Sequence, residues 1–571
     1  MCHNSKQNDM KKYCVNKVLC LAFIALAVLT FASCGDDFDF ENHYPGAELK
    51  KEYAQNWVDL YGAIDPNQNW SMALDTCVTV TVGASSNVKV YGKFDGIFKL
   101  VAQYDNLEGT ASIPFSVVKG SEELYVSDGT MAVKTKIGGH VDFSAPATRG
   151  AYLEPSNDSS FPIEFELLDK NLQIEYRQFK SAIGSLKEVS PNNPTGSSNV
   201  VVTDFTCVAT EGEVIIYPIN WINRENKELG IYLNGNKDIR FPLYQTKDNG
   251  SHPKMTLSYQ LEGGPKTEVS NSGSDGVPDN AMYVYSPGIK ITVPVGTVIG
   301  FYAVKNTNGK PKPSYYSYSE GTTGNVATID VNGKTLVGLY QEKDCSDFMF
   351  YAENVTTITN KLASWYIACE DLGSTGDYDF NDLVFKVSTS SETPCHKGHH
   401  QTKYYYTIKP VAAGGTKKAE FSLDEGENWK EIHDCFGYGT PDNNGRYTMI
   451  NTNAEELALS NGSKGVSGVS LVDQNFWETK YEGKVSELFA KFKIKVEDNG
   501  QAIVIDSPET GTAPQMILTP EGWQWPIERE SIEVVYKGFK DWSQNATIYK
   551  WNEYKNKELV YPLQLALIQS T

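Results

Sequence analysis

The sequence predicts a mainly β protein built from tandem antiparallel β-sandwich modules, with an export signal and a short helix in front of them. Helical periodicity is scarce in the 571 residues. Short runs of alternating apolar and polar residues recur instead, and turn-forming residues separate them, which is typical of β-sandwiches. The 33 tyrosines, 24 phenylalanines and 10 tryptophans favour the same class, because aromatic side chains fit the faces of strands.

The N-terminus has the three parts of a lipoprotein signal peptide. Lysines are followed by an apolar run at residues 19–31, and the small residues Ala32 and Ser33 then precede Cys34. The run is shorter than the roughly 20 residues of a membrane-spanning helix. We therefore predict that residues 1–33 are a cleaved signal peptide and that Cys34 is the lipidated first residue of the mature protein. The alternative interpretation is an uncleaved anchor helix.

Lipid at Cys34 predicts attachment to a membrane, because several acyl chains together form a stable anchor. The next residues, GDDFDFE at positions 35–41, resemble the export signal by which some Gram-negative anaerobes carry lipoproteins to the outer face of the outer membrane. This resemblance implies a lipid-anchored, surface-exposed outer-membrane protein. A solvated acidic tether is the alternative interpretation of the same residues.

The mature chain is strongly acidic. Of the 51 basic and 71 acidic side chains in the full sequence, residues 1–33 hold four lysines and one aspartate, so 47 and 70 remain and the net charge is −23. This charge repels nucleic acid and anionic lipid headgroups. We therefore expect no nucleic-acid partner, whereas divalent cations and neutral ligands suit such a surface.

Shifts in composition divide the chain into six segments. They are the signal peptide at 1–33, a tether with an amphipathic helix at 34–74, an N-terminal β-sandwich at 75–145, a connector at 146–199, a central β-sandwich at 200–388 and a C-terminal β domain at 389–571. The tether helix is predicted from an apolar stripe of Leu49, Tyr53, Trp57 and Leu60, which we expect to pack on the first β-sandwich. A second helix is expected in the connector, at residues 167–186.

The strongest signal for chemistry is the segment EDLGSTGDYDFNDLVF at residues 370–385. Five carboxylates and one amide lie within its first thirteen residues, and its glycines permit a tight turn. Crowded carboxylates repel one another unless a cation lies between them, and oxygen ligands of this kind suit hard cations. The predicted ligands are Asp377, Asp379, Asn381 and Asp382, with Glu370 and Asp371 as supporting ligands.

We expect the ion at this segment to be Ca²⁺ in a structural role, because extracellular loops with many flexible oxygens favour calcium over magnesium. The segment is not an EF-hand. The sixth position counted from Asp377 is Asp382 instead of glycine, and the twelfth is Ser388 instead of glutamate. An acidic turn closed by Asx hydrogen bonds is the alternative interpretation.

A weaker metal-binding candidate is CHKGHH at residues 395–400, in which Cys395, His396, His399 and His400 are ligand types for zinc. It lies in a polar linker without a second half of matching spacing, so a flexible loop is the favoured interpretation. The cysteines predict no particular disulfide bridge, because the six that remain after Cys34 allow many pairings.

The acidic segment resembles the hallmark E-D-L…D-x-D-F/Y-N-D-L/V-V-F of a secreted β-sandwich domain of unknown function, whose members are thought to bind calcium there. Upstream runs at 289–297, 299–302, 316–319 and 326–328 are similar to the same domain. Similarity to the LruC-type domain of bacterial surface lipoproteins is found at residues 408–416, 431–433 and 449–452 and at Trp525, Pro526, Phe539 and Trp542. These resemblances cover about residues 200–571. They imply a surface lipoprotein with calcium at the acidic segment and no defined reaction.

We predict a lipid-anchored cell-surface protein that acts in binding or adhesion, with a host, matrix or glycan ligand. An enzyme is not expected and no catalytic residue is assigned, because the sequence has no G-x-S-x-G, H-E-x-x-H or phosphate-binding glycine loop. Two alternatives stay open. One is a glycan-binding accessory protein or glycoside-active enzyme, since two suitably spaced carboxylates suffice for glycosidase chemistry. The other is a pilus- or fimbria-associated subunit whose strands pair between copies.

Overall fold

The structure is a computed structural model that describes residues 46–129, 131–144, 164–175, 181–182, 184–186, 200–202, 205–219, 227–246, 255–259, 267–271, 283–307, 310–317, 326–341, 344–372, 376–392, 395–396, 399–400, 403–451, 466–467, 478–479 and 484–561. The signal peptide predicted at residues 1–33 and the predicted lipidation residue Cys34 lie outside this range.

The fold is mainly β, which confirms the predicted class. The strands up to residue 362 are β1 (Ala73–Phe94), β2 (Ile97–Val118), β3 (Glu123–Ser127), β4 (Ala132–Lys136), β5 (His140–Asp142), β6 (Glu164–Glu175), β7 (Val200–Val202), β8 (Thr206–Ala209), β9 (Glu213–Ile219), β10 (Lys227–Leu233), β11 (Asn236–Thr246), β12 (Met255–Tyr259), β13 (Thr267–Asn271), β14 (Tyr283–Thr292), β15 (Val298–Thr307), β16 (Lys310–Tyr316), β17 (Val326–Val331), β18 (Lys334–Gln341), β19 (Asp344–Glu353) and β20 (Val355–Leu362). The later strands are β21 (Ser364–Cys369), β22 (Leu383–Glu392), β23 (Cys395–His396), β24 (His399–His400), β25 (Lys403–Ala413), β26 (Lys418–Ser422), β27 (Lys430–Glu431), β28 (Ile450–Asn451), β29 (Val466–Ser467), β30 (Glu478–Thr479), β31 (Lys493–Asp498), β32 (Gln501–Asp506) and β33 (Met516–Pro520).

Short helices accompany the strands. Those with described bounds are α1 (Ala47–Tyr61), a 3₁₀ helix (Asp434–Phe436), α2 (Val485–Lys491), α3 (Ile532–Val535) and α4 (Phe539–Gln544). None of the helices in the described ranges combines the length and the apolar character that crossing a bilayer requires.

The described strands form mostly antiparallel sheets. A 13-stranded sheet has the order β13-β12-β11-β10-β15-β8-β20-β2-β1-β3-β4, with β16 beside β15 and β5 beside β1. Strands β6-β14-β9-β19-β18-β17-β7 form a second sheet. A third has the order β29-β28-β25-β22-β21-β33, with β30 beside β25, and a four-stranded sheet has the order β27-β26-β31-β32.

The sheets do not divide where the sequence-based boundaries were placed. The predicted division at residue 388 falls inside β22, and β21 and β22 pair with β33 and β25 of the C-terminal region. The acidic segment between β21 and β22 therefore belongs to the C-terminal sheet and not to the central β-sandwich. In addition, β20 pairs with β2, so one sheet continues from the N-terminal into the central region. The periodicity of a strand does not reveal its partner, which is why the sequence misplaced this boundary.

The two largest of five apolar clusters among the described residues are the main cores of these sheets. The larger one joins the N-terminal strands, α1, β21, β22 and the C-terminal segment, for example through the edge-to-face contact of Phe94 with Trp365 at 5.2 Å. The other lies in the central region, where Phe301 and Phe350 stack at 4.0 Å. The acidic segment is held by the larger core.

Helix α1 confirms the predicted tether helix, but its contacts differ from those expected. Tyr53, Trp57 and Tyr61 are buried, whereas Leu60 is 58% exposed and lies off the buried stripe. This follows from the geometry, because residues four apart share one face of a helix. The buried rings pack on the acidic segment and the C-terminal region, and not mainly on the first sheet.

The helix predicted at residues 167–186 is wrong over its first half, because residues up to 175 belong to strand β6. Phe165 and Leu167 alternate with acidic residues at one end, and Leu172 and Ile174 alternate with polar residues at the other. This period of two suits a strand, and β6 pairs with β14 across a bulge at Gly288. The local pattern of residues 164–175 and the pairing with β14 therefore both favour a strand over the predicted helix.

Candidate metal centre

The acidic segment connects two adjacent strands of the C-terminal sheet. Its first residue, Glu370, follows β21, and its last, Asp382, precedes β22. The two strands pair without a shift in register from Ser364 opposite Ser388 to Cys369 opposite Leu383. Because β21 is buried along its whole length, both ends of the loop are fixed to a rigid element.

Left-handed backbone conformations coil the loop after residue 375. Gly376, Tyr378 and Phe380 have φ angles of 58°, 53° and 53°, and this region costs a residue with a Cβ atom about 1–2 kcal/mol. Burial offsets that cost. The Tyr378 ring contacts Trp57 edge-to-face at 5.1 Å, and Phe380 lies 6.3 Å from the same indole. The carboxylates alternate in sequence with these two anchored rings.

Three carboxylates of the loop lie together in a buried cluster. Glu370, Asp377 and Asp379 each offer one oxygen, and these oxygens all lie within 4.8 Å of one another. Glu370 and Asp379 are each 2% exposed. This acidic triad, defined by Glu370, Asp377 and Asp379, is an arrangement that could hold a metal ion.

Backbone donors orient two members of the acidic triad. Phe380 N donates to Glu370 Oε1 at 2.5 Å. Arg529 N donates to Asp379 Oδ2 at 2.8 Å, and Asn381 N donates to Asp379 Oδ1 at 3.2 Å in the Asx pattern. An Asx hydrogen bond therefore closes this turn, and the same loop could also hold a metal ion, so the two interpretations are compatible.

The electrostatics of the acidic triad favour a cation. Burial, followed by the charge of Asp377, raises the pKa of Glu370 well above its usual value. Burial and then Glu370 likewise raise the pKa of Asp379. The ionised forms are disfavoured because neighbouring negative charges repel one another in a site removed from water. A divalent cation at the triad would reverse this penalty and stabilise the ionised forms.

Two of the predicted ligands lie beside the acidic triad instead of within it. Asp371 N donates to Asp382 Oδ2 at 2.8 Å, and burial together with the charge of Asp371 raises the pKa of Asp382. Lys417 Nζ lies 4.0 Å from Asp371 Oδ1 and 3.4 Å from Asp498 Oδ1. Asp382 was predicted as a principal ligand and Glu370 as a supporting one, but the triad contains Glu370 and not Asp382.

Asn381, another predicted ligand, has one side-chain atom engaged and one available. Its Nδ2 donates to Pro526 O at 3.2 Å. Its Oδ1 is buried and has no hydrogen-bond partner among the described residues, although the residue is only 2% exposed. The neighbouring Gly414 allows this close packing, because a Cβ atom there would lie 2.7 Å from Asn381 Oδ1.

A second segment, residues 526–532, lies across the acidic loop. It contacts the loop through Pro526 and Arg529 as described above, and Ile532 N donates to Tyr378 O at 3.0 Å. Within it, burial and the charge of Asp377 raise the pKa of Glu528 to about 7. Sequence reasoning missed Glu528, because it lies more than a hundred residues from the loop and no spacing rule connects the two segments.

The alternative metal-binding segment forms a short hairpin. Cys395 is paired with His400 and His396 with His399 in strands β23 and β24, where a loop was expected. The side chains of these four residues lie outside the described parts of the structure, so their predicted ligand role stays a prediction. No disulfide bridge joins the cysteines whose side chains are described.

Comparisons with protein-family models, with curated proteins and with solved structures find no match for this chain.

Proposed function

We propose that the protein is a calcium-stabilised binding or adhesion protein of the LruC-like class, displayed on the outer face of the outer membrane by lipid at Cys34. The observation that carries the calcium part is the convergence of three carboxylates, the buried Glu370 and Asp379 and the partly buried Asp377, with oxygens within 4.8 Å of one another. The lipoprotein-like N-terminus and the acidic mature chain support the display at the cell surface.

Calcium suits this site better than magnesium. Calcium accepts six to eight oxygen ligands in flexible geometry at about 2.3–2.6 Å, whereas magnesium demands near-ideal octahedral geometry and keeps much of its water. The acidic triad draws its oxygens from an irregular coil, and such a coil fits the flexible geometry of calcium. Zinc would be expected with nitrogen or sulfur ligands, and the triad offers oxygens.

The role of the ion in this proposal is structural. An ion that binds the folded loop and not the unfolded chain stabilises the fold by mass action, by about 1.4 kcal/mol at ten times the dissociation constant. The loop meets α1 through Tyr378 and the C-terminal segment through Asp379. Calcium would therefore stabilise the contacts that join α1 and the C-terminal segment to the acidic loop between β21 and β22.

The calcium proposal is tested by thermal unfolding of the purified protein. We expect a higher melting temperature in millimolar calcium than in EGTA, and a smaller increase with magnesium. Asp377→Asn removes a triad ligand and should abolish the increase. Glu108→Gln removes one exposed negative charge from strand β2, which belongs to a different sheet, and should leave the increase intact. Equal melting temperatures in calcium and EGTA, with no metal found by elemental analysis, would refute the proposal.

The anchoring proposal has its own test, in cells. Wild-type protein should be found in the membrane fraction, incorporate labelled fatty acid and be digested when protease is added to intact cells. Cys34→Ser should remove the label and release the protein from the membrane. A Cys34→Ser variant that stays membrane-bound would support the uncleaved anchor instead. A glycan array probed with and without chelator then tests the ligand class.

A further inference from the structure

Side chains from strands β1 and β20 meet at one amide group. Lys89 Nζ and Tyr91 OH each donate to Asn360 Oδ1 at 2.9 Å. Lys89 and Tyr91 are two residues apart on β1, so their side chains leave the same face of the strand. Asn360 lies on β20, 271 residues after Lys89, and β2 lies between the two strands in the sheet. This amide cluster, defined by Lys89, Tyr91 and Asn360, therefore connects the N-terminal region of the chain with the central region.

The amide cluster borders an apolar part of the sheet. Tyr91 is buried in a small apolar cluster that includes Leu100 and Ile358. Asn360 follows Ile358 by two residues on β20 and is itself half-buried. Hydrogen bonds to a carbonyl oxygen are stronger where water is largely excluded, and water is also the nucleophile that would compete for the amide carbon. The surroundings therefore favour a reaction between the protein's own groups.

The separation within the amide cluster suits an attack of the lysine amine on the amide carbon. A C=O bond is about 1.23 Å long, so an amine that lies 2.9 Å from Asn360 Oδ1 is within about 4 Å of Cγ. Groups react readily when they are held about 3–3.5 Å apart, and a small rotation of the side chains closes the difference. Lysine amines are nucleophiles towards carbonyl carbons. The Tyr91 hydroxyl donates to the oxygen on which negative charge develops during such an attack, which is the position of an oxyanion donor.

A buried carboxylate lies on the same face of the sheet as the lysine. Gln103 is directly opposite Lys89 in the pairing of β1 with β2, and side chains of opposed residues lie on the same side of a sheet. Gln103 Nε2 donates to Oδ1 of the buried Asp105 at 2.5 Å. Positioned carboxylates accept and return protons during catalysis. Asp105 can therefore take up the protons that the amine must lose.

We propose that Lys89 and Asn360 form an intramolecular isopeptide bond. Nζ attacks Cγ, the Nζ–Cγ bond forms and the Cγ–Nδ2 bond breaks. Nζ gives up two protons through Asp105, Nδ2 receives both, and it leaves as an ammonium ion. The reaction is neither an oxidation nor a reduction. The product fixes β1 to β20 covalently, and a cross-link between residues so far apart in sequence stabilises a fold by restricting the unfolded chain. The bond is independent of the proposed calcium site.

Peptide mapping of the full chain tests the proposal. Trypsin does not cleave after a lysine whose amine is acylated, and the sequence then gives the two tryptic peptides 52–93 and 344–361. In the wild type we expect these two peptides to be joined, with a mass lower than their sum by one ammonia molecule. Lys89→Arg should abolish the joined peptide, because a guanidinium stays protonated and is no nucleophile. Asn360→Ala should abolish it as well, because it removes the amide carbon.

A second lysine–asparagine pair provides the matched control. Lys119 Nζ donates to Oδ1 of the exposed Asn69 at 2.7 Å, so Asn69→Ala removes a similar hydrogen bond and should leave the joined peptide in place. Tyr91→Phe and Asp105→Asn should slow its appearance after synthesis. This slowing would support the oxyanion and proton-transfer roles, whereas unchanged rates would overturn them. Wild-type protein that yields the two peptides separately and at their full masses overturns the isopeptide bond, whether or not the variants fold.

Discussion

Replacing Trp57 with alanine tests whether helix α1 and the acidic loop form one cooperative unit. The indole is fully buried and contacts the rings of Tyr61, Trp70, Tyr378, Phe380 and Phe539 at centroid distances of 4.5 to 6.3 Å. Truncating a buried tryptophan costs about 3–5 kcal/mol. The buried Nε1 has no partner among the described residues, and its removal recovers part of that cost. We therefore expect a loss of about 3 kcal/mol, at the lower end of the range.

The assay is urea unfolding followed by far-UV circular dichroism, in calcium and in EGTA. Val58→Ala is the control, because Val58 is the next residue of the same helix and is 42% exposed. We expect it to change the free energy of unfolding by no more than about 0.5 kcal/mol. Trp57→Ala should also weaken calcium binding, since Tyr378 loses the ring that holds it. If Trp57→Ala costs no more than Val58→Ala, α1 is not part of the unit that contains the metal centre.

Three further results are expected. Gly414→Ala would place a Cβ atom 2.6 Å from Asn381 O and 2.7 Å from its Oδ1, so it should cost about 1–3 kcal/mol and reduce the calcium response. Gly212→Ala is the matched control, because a Cβ atom there meets nothing within 4 Å. Equal melting temperatures for the Gly414→Ala and Gly212→Ala variants would contradict the argument. In metal-depleted buffer, the free energy of unfolding should fall as pH rises from about 4.5 towards 7. The pKa of Glu528 is raised from 4.5 to about 7 in the fold. Across this pH range the folded protein therefore holds a proton that the unfolded chain has lost, and this advantage disappears as the pH rises. Calcium should stabilise more at pH 8 than at pH 5, and an increment independent of pH would count against carboxylate ligands.

Local sequence patterns predicted the fold class, helix α1 and the acidic loop. The features that they did not predict depend on contacts between residues far apart in the sequence. The alternation of apolar and polar residues predicted a mainly β fold, and the stripe of Tyr53 and Trp57 predicted α1. The density of acidic residues directed attention to the acidic loop, where the buried triad lies. The acidic triad contains Glu370, predicted as a supporting ligand, and not Asp382, because the number of residues between two acids does not show which way a coiled backbone turns them.

The larger errors concern partners in space. Because β22 pairs with β25, the acidic loop belongs to the C-terminal sheet and not to the central β-sandwich. The contact between Asp379 and Arg529 spans 150 residues, and no local motif marks Glu528 as its neighbour. In these two cases the deciding interaction was tertiary, and periodicity within one segment carries no information about it. The strand β6 differs, because its own alternation of apolar and polar residues over Glu164–Glu175 has the period of a strand.

A protein held to a cell by its N-terminus carries tension whenever a bound partner is pulled away. Among the described elements of this chain, α1 lies nearest in sequence to the predicted anchor at Cys34. Tyr53 and Trp57 would pass the force to Tyr378 in the acidic loop before it reached the sheets. The force needed to detach α1 would then depend on the stability of the acidic loop. With calcium bound as proposed, the calcium concentration outside the cell would control the mechanical strength of this attachment.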